Sequence, residues 1–128
     1  MSALEVNLYG GQEHFSVVAS EGEIGIGGAE LDFWPELPNP VPNCTGPVLW
    51  FARLFVKQPY RGKRIGTKLM ERVCEEADRR GLPIINCINA YGDMSRDEIR
   101  DWFCRRFGFQ AYAPGAVYRL PEGTDHEG

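Results

Sequence analysis

The chain has 128 residues, 43% of them hydrophobic and 25% charged, with a formal net charge of −4. That length suffices for one domain with a buried core, and no long uncharged apolar run suggests a membrane span or a secretory leader. The acidic balance argues against a general nucleic-acid-binding surface.

Leu4, Val6 and Leu8 alternate with polar residues, which predicts a first strand ending at Gly10-Gly11. His14–Ser20 and Ile24–Trp34 predict two more strands, joined by a turn at Glu21-Gly22-Glu23. Gly25, Gly27 and Gly28 interrupt the third strand and predict a bulge or a close approach of backbone. The segment Pro35–Pro47 holds Pro35, Pro38, Pro40, Pro42 and Pro47, a density that excludes helix or central strand and predicts a stiff loop. A fourth strand, Val48–Val56, follows it.

After Pro59 comes a basic, glycine-bearing turn. Lys57, Arg61, Lys63, Arg64 and Lys68 form an island of positive charge in an acidic chain, suited to one compact anion; a solvated basic face is the plainer alternative. A helix then begins. Ile65, Leu69, Val73, Cys74 and Ala77 repeat at helical spacing, Glu75/Arg79 and Glu76/Arg80 make i,i+4 pairs expected on its exposed side, and Gly81-Leu82-Pro83 ends it. The run Ile84–Ala90 reads as a buried strand, so strand, helix and strand make a right-handed βαβ unit with parallel strands.

Ser95 and Glu98 form a capping box with Met94 able to staple onto Ile99, and Ile99, Trp102, Phe103 and Phe107 line the apolar face of a second helix that Gly108 stops. Two short strands are predicted around Pro114-Gly115, within Gln110–Leu120. Residues 1–121 thus make one α/β domain, and 122–128 a flexible acidic tail. The four cysteines (Cys44, Cys74, Cys87, Cys104) form no C-x-x-C pair and have no nearby histidines at ligand spacing. This predicts no metal site and a reduced, cytoplasmic setting, with Cys74 and Cys87 as packed apolar side chains.

The stretch Arg61-Gly62-Lys63-Arg64-Ile65-Gly66, between LFV and TKLM, resembles the pyrophosphate motif [Q/R]-x-x-G-x-[G/A] of the GNAT superfamily of acetyl-CoA-dependent N-acyltransferases. The downstream WFCRRFGF resembles that family's helix-then-GF ending, so the likeness covers Val48 to Phe109 in the right order. The resemblance implies a mixed, mostly antiparallel sheet whose central parallel strands splay around coenzyme A. It implies that Leu54, Phe55 and Val56 line the pantetheine arm, that Arg61, Gly62, Lys63, Arg64, Ile65, Gly66 and Thr67 hold the pyrophosphate, and that acetyl-CoA is the co-substrate. Free amides at a helix N-terminus with nearby cations suit those phosphates. Arg64 stands where the motif's first glycine is expected, which serves only if the site does not require positive φ.

The catalytic positions depart from the family's pattern. Cys104 replaces the tyrosine often found four residues before the glycine of the GF ending; it is either a thiol acid toward the leaving thiolate or a packed side chain. Trp50 stands where some members carry a glutamate base. Glu30 and Asp32, on one face of the preceding strand, are the remaining base candidates, directly or through water; an exposed acidic strand face is the bland alternative for each. Tyr91, Tyr112 and Tyr118 are substitute acids without a spacing argument, and His14 and His126 read as isolated surface residues. Gly10–Glu13 is too short for the helix pair that usually shapes the acceptor pocket. The acceptor side is then open, or is completed by the proline-rich loop or by a partner such as a second copy of the chain. The implied reaction is acetyl transfer to a primary amine, of a protein, peptide or small molecule. A catalytically inactive acyl-CoA-binding module is the alternative.

Overall fold

A computed structural model of the chain describes residues 4–35, 46–87, 95–113 and 115–121. Seven strands form one sheet: β1 (Leu4–Gly10), β2 (His14–Glu21), β3 (Ile24–Trp34), β4 (Val48–Val56), β5 (Ile84–Cys87), β6 (Gln110–Ala113) and β7 (Ala116–Arg119). Their order across the sheet is β1-β2-β3-β4-β5-β7-β6, and every pair is antiparallel except β4 with β5. Helix α1 (Ile65–Arg80) makes the crossover between those two parallel strands, and α2 (Arg96–Phe107) precedes the β6–β7 hairpin. A single 3-10 turn at Gln58–Tyr60, fixed by Pro59, lies between β4 and the basic turn, and no pattern in the sequence announces it. Neither described helix is long and apolar enough to cross a membrane.

Both helices pack on one face of the sheet. Phe15, Val17, Ala29, Leu31, Leu49, Phe51 and Ile84 meet Leu69, Met70 and Val73 of α1 and Ile99 and Phe103 of α2 in one core. This is the alternation of half-buried strands meeting the helical repeat on its apolar side. The opposite face carries a smaller apolar group, Val48, Ile85 and Tyr118, with Trp34 stacked on Trp50 at 4.7 Å. β1 runs to β2 through a tight turn, Gly11's N–H donating to the His14 carbonyl at 2.9 Å, so no helix pair separates them.

Helix boundaries follow their local chemistry. Gly81 closes α1 with φ of +70°, its N–H reaching the carbonyls of Ala77 and Asp78. The Ser95–Glu98 capping box starts α2, and Gly108 with φ of +77° ends it. Arg119, buried on β7, donates to the Phe107 carbonyl at 3.0 Å and bidentately to Asp78 at 2.9 and 3.1 Å, tying the ends of both helices to the sheet. The expected staple from Met94, the end of the Ile84–Ala90 run, most of the proline-rich loop, Pro114, Cys44 and the acidic tail lie outside the described residues.

Two expectations are corrected. Cys87 is exposed, while Cys74 is buried as expected. Glu76 does not lie on the exposed side of α1: it is 1% exposed, its carboxylate enclosed by the side chains of Arg72, Arg79 and Arg80. Arg79 and Arg80 both donate to it, Arg80 Nε at 2.8 Å, and Arg72 Nη1 lies 3.5 Å away. Glu75 lies 3.9 Å from Arg72. The hydrogen bond from Arg79 pulls the Glu76 carboxyl from 4.5 down to about 2, against the upward push of burial and with help from Arg80. A carboxyl with a depressed folded-state pKa stabilises the fold above its unfolded value and loses that contribution as pH falls from about 4.5 towards 2. After allowing for the solvent exposure of Arg79, the contribution is on the order of 2 kcal/mol. In urea titrations, the stability gap between wild type and Glu76→Gln should be full at pH 7 and should shrink as pH falls from about 4.5 to 2; a gap independent of pH would show that the ion pairs contribute nothing.

Candidate active site

The described part of the parallel ladder between β4 and β5 is short. Its described pairs are Leu49 with Ile84, Trp50 with Ile85 and Phe51 with Asn86, whereas β4 continues to Val56. On its other side β4 stays paired with β3 throughout, Glu30 standing opposite Arg53 and Leu31 opposite Phe51, so Ala52 is an extra residue and a β-bulge. Strand alternation then decides which edge each main-chain group faces. The Lys57 N–H donates to the Ile26 carbonyl at 2.8 Å, so Phe55 and Arg53 direct their groups to β3 and Leu54 and Val56 direct theirs to the β5 side. Leu54 and Val56 thereby offer main-chain groups beyond the last described rung of the ladder. The Val56 carbonyl takes one bond, from Arg61 Nε at 2.9 Å.

Phe55 plays another part. Its main chain is absorbed by β3, and its ring lies under the Arg53 guanidinium, 4.5 Å from the centroid, on the face that the helices leave free. Gly27 and Gly28 let β3 approach: a Cβ at Gly27 would lie 2.9 Å from the Phe55 carbonyl oxygen, and one at Gly28 3.3 Å from the Phe55 ring. The anticipated close approach at these glycines is therefore real, and a register shift at Ala19/Ser20 adds the bulge.

The basic turn ends directly at the N-terminus of α1. The N–H groups of Ile65, Gly66 and Thr67 have no intrahelical acceptor, Lys68 being the first to donate back, to Arg64, and no side chain caps the helix. Gly62 has φ of +82° and Arg64 has φ of +65°, Arg64 being the non-glycine residue in the left-handed region among those described. The position does require positive φ, and arginine occupies it at a cost of about 1 kcal/mol. Lys63 Nζ sits 5.7 Å from the centroid of the Tyr60 ring. A Cβ at Gly66 would stand 3.5 Å from the Trp102 ring, so this glycine faces α2 and the cradle is braced by that helix. Unpaired amides, helix dipole and four nearby cations (Arg61, Lys63, Arg64, Lys68) fit a diphosphate, and the edge at Leu54 and Val56, without a strand partner among the described residues, fits an amide-bearing arm such as pantetheine.

The base candidates separate. Glu30, half-buried, stands across from Arg53 beside the bulge and one position from the Ala29–Leu54 pair. Asp32 is two positions further along and is engaged: His14 Nδ1 lies 2.6 Å from its Oδ1 across the β2–β3 pair. His14 is thus no isolated residue. A cross-strand His–Asp pair would have been legible had the β2–β3 register been known. Trp50, opposite Asp32, is occupied in its stack with Trp34. Cys104 is partly buried against the core on the turn of α2 whose Phe103 packs edge-on to Phe51, the last rung of the parallel ladder. Burial pushes its thiol pKa up, so it holds its proton at neutral pH. The Tyr118 hydroxyl donates to Gln110 Oε1 at 3.1 Å on the helix-free face, and Tyr91 and His126 lie outside the described residues. Among the described residues no three His, Cys, Asp or Glu side chains gather as metal ligands.

Residues 11–111 match the family model of the acetyltransferase (GNAT) domain. The chain belongs to the GNAT family. Among solved structures, Arabidopsis thaliana NAA60, bound to a bisubstrate analogue, is similar over 89% of this chain and 79% of its own, with 14% identity and a TM-score of 0.67. The aminoglycoside N-acetyltransferase AAC(6')-Iy, in complex with CoA, is similar over 88% of this chain and 91% of its own, with 14% identity and a TM-score of 0.62. The PaiA N-acetyltransferase of Thermoplasma acidophilum, also with coenzyme A, covers 84% of this chain and 61% of its own at 16% identity and a TM-score of 0.58. At these identities the likeness is one of fold. No curated protein sequence gave a match.

For a GNAT domain whose loop carries arginine in a left-handed position, the backbone term can be isolated. Arg64→Gly and Arg64→Ala both remove the charge, but only glycine removes the strain. The glycine variant should be the more stable of the two by about 1 kcal/mol in urea unfolding. Equal stability would mean that the helix starts in a different conformation.

Proposed function

We propose that this protein is an N-acetyltransferase that moves an acetyl group from acetyl-CoA to a primary amine by direct attack in a ternary complex. The observation that carries the proposal is the junction of two main-chain surfaces without a backbone partner among the described residues: the β5-facing edge of β4 at Leu54 and Val56, and the uncapped N-terminus of α1 with its left-handed Arg64. Acetyl-CoA would supply an acetyl thioester. In this reading the amides of Gly62 through Thr67, with Arg61, Lys63 and Arg64, hold the diphosphate, while Leu54 and Val56 hold the arm. A main-chain donor on that edge stabilises negative charge on the carbonyl oxygen in the transition state.

Glu30 takes the proton from the incoming ammonium, because it is the acidic candidate beside the bulge and Asp32 is already bonded to His14. Cys104, protonated at neutral pH, is the candidate donor to the departing thiolate. The acceptor approaches the helix-free face. With β1 joined directly to β2, that face suits an amine on a protein or peptide better than an enclosed small molecule. A cytoplasmic setting belongs to the same proposal, supported by described cysteines that form no disulfide.

The competing reading, an acyl-CoA-binding module without chemistry, has two observations in its favour: Trp50 fills the position where some relatives carry a base, and Cys104 the position where many carry a tyrosine. Calorimetry with acetyl-CoA, followed by thiol release across a panel of amines including peptide N-termini and lysines, separates the two. Glu30→Gln should leave acetyl-CoA affinity unchanged and lower turnover by about 100-fold or more. Binding without turnover on any amine would establish the module instead. Lys63→Ala should weaken acetyl-CoA binding, and by less at high salt, since its contribution is electrostatic.

A further inference from the structure

At the far end of α1 from the basic turn lies an open cleft of about 710 Å³ between the helix and the edge of the sheet. Leu8, Phe33 and Leu82 contribute apolar surface, and Arg72, Glu76, Arg79 and Arg80 the polar wall. Its lining residues on the helix run from Arg72, about 10 Å along the axis from Ile65, to Arg79, about 21 Å from it, so the cleft lies beyond the phosphate cradle.

The charges do not cancel. Three guanidiniums meet Glu76 in the wall and Glu75 beside it, an excess of positive charge in a chain that is acidic as a whole. Arg80 is consumed: its Nε bonds Glu76, its Nη atoms donate to the carbonyls of Gln12 and Gly11, and its plane lies over the Phe15 ring. Arg72 and Arg79 are different. Arg72 engages Glu76 at 3.5 Å and Glu75 at 3.9 Å through one nitrogen, Arg79 uses two of its three, and their side chains are 33% and 70% exposed.

The same cleft is bordered by an open strand edge. β1 is terminal in the sheet among the described residues and pairs with β2 without interruption. The bond from the Gly11 N–H to the His14 carbonyl, and the bond from the Phe33 N–H to the Glu13 carbonyl, both fix the alternation. They place the main-chain groups of Leu4, Val6 and Leu8 away from β2, on the open edge. Charge, proline and bulges are the usual means of closing such an edge; Glu5 is the one charged side chain on β1, and neither proline nor a register shift is present.

We infer that β1 and the adjoining cleft form a docking site for an extended acidic segment of a partner protein, which adds to the sheet as a strand and sets alternate carboxylates against Arg72 and Arg79. Main-chain bonds to Val6 and Leu8 supply the register, the apolar floor takes an intervening side chain, and the unspent guanidinium donors select for acid. The charge complementarity of the wall is what favours this occupant over a second copy of the chain, whose own β1 edge would present the same arginines.

The test uses the full chain and a dye-labelled, end-blocked peptide of about seven residues alternating glutamate and valine, with a lysine–valine peptide as control. Anisotropy should show saturable binding of the acidic peptide alone, weakened at least fivefold by Arg72→Gln with Arg79→Gln and by raising salt. Val6→Pro, which removes an outward donor, should abolish it while the thermal transition persists. Arg72→Gln alone, on the surface, should still weaken binding measurably, which keeps the test decisive if the proline variant does not fold. Equal binding of the lysine peptide, or binding unaffected by the arginine changes, overturns the proposal. So does light scattering that shows a dimer dissociated by Val6→Pro together with no peptide binding, which would assign the edge to a second copy.

Discussion

The architecture depends on a parallel pair of strands that, among the described residues, is shorter than its longer member. A strand inside a sheet normally has both edges satisfied, because an unpaired buried main-chain group is costly. β4 satisfies its β3 edge over its whole length and its β5 edge over Leu49–Phe51 alone among the described residues. The bulge at Ala52 marks the point where the two halves part, and it turns Leu54 and Val56 outward. The chain beyond Val56 serves that edge. Pro59 forces a turn, the basic residues gather after it, and α1 begins with its uncapped end directed back. The core then fixes α1 against the sheet, with Arg119 binding both Asp78 and the end of α2.

The helix is held at its two ends by opposite means. Its N-terminus is left electrostatically unsatisfied and conformationally strained at Arg64, which suits a place where a ligand is to supply the missing partners. Its C-terminal half is tied down, with Glu76 buried among arginines and Gly81 closing the last turn. A strained end is useful only on a helix that does not move, and the ion cluster is well placed to prevent that.

Much of this is legible in the sequence because local signals and tertiary demands agree. β3 runs over the residues that alternation predicts, the capping box at Ser95 is formed, and the glycine after each helix takes the left-handed cap. The turn at Arg61–Gly66 can be matched to a motif because a helix N-terminus binds phosphate through its backbone, which constrains few side chains but constrains glycine placement closely. The remaining features depend on register or depth, which composition does not encode. Glu76 reads as half of a surface i,i+4 pair because spacing cannot distinguish a helix side that faces water from one that neighbouring side chains enclose. The His14–Asp32 contact joins residues on different strands and needs the β2–β3 alignment. The bulge at Ala52 leaves no mark in WFARLF, since any small residue would serve.

The three tryptophans divide between the two halves of the molecule. Trp102 lies against Gly66, behind the phosphate cradle, while Trp34 and Trp50 stack nearly parallel on the helix-free face, with 10° between their planes. Two indoles so arranged couple their electronic transitions, and the coupled pair has a circular-dichroism signature distinct from that of a lone ring. The protein therefore carries its own optical labels. Emission from Trp102 senses the donor half, and the split band of the stacked pair senses the face from which an acceptor would come, so the order in which two ligands arrive can be followed without altering a residue.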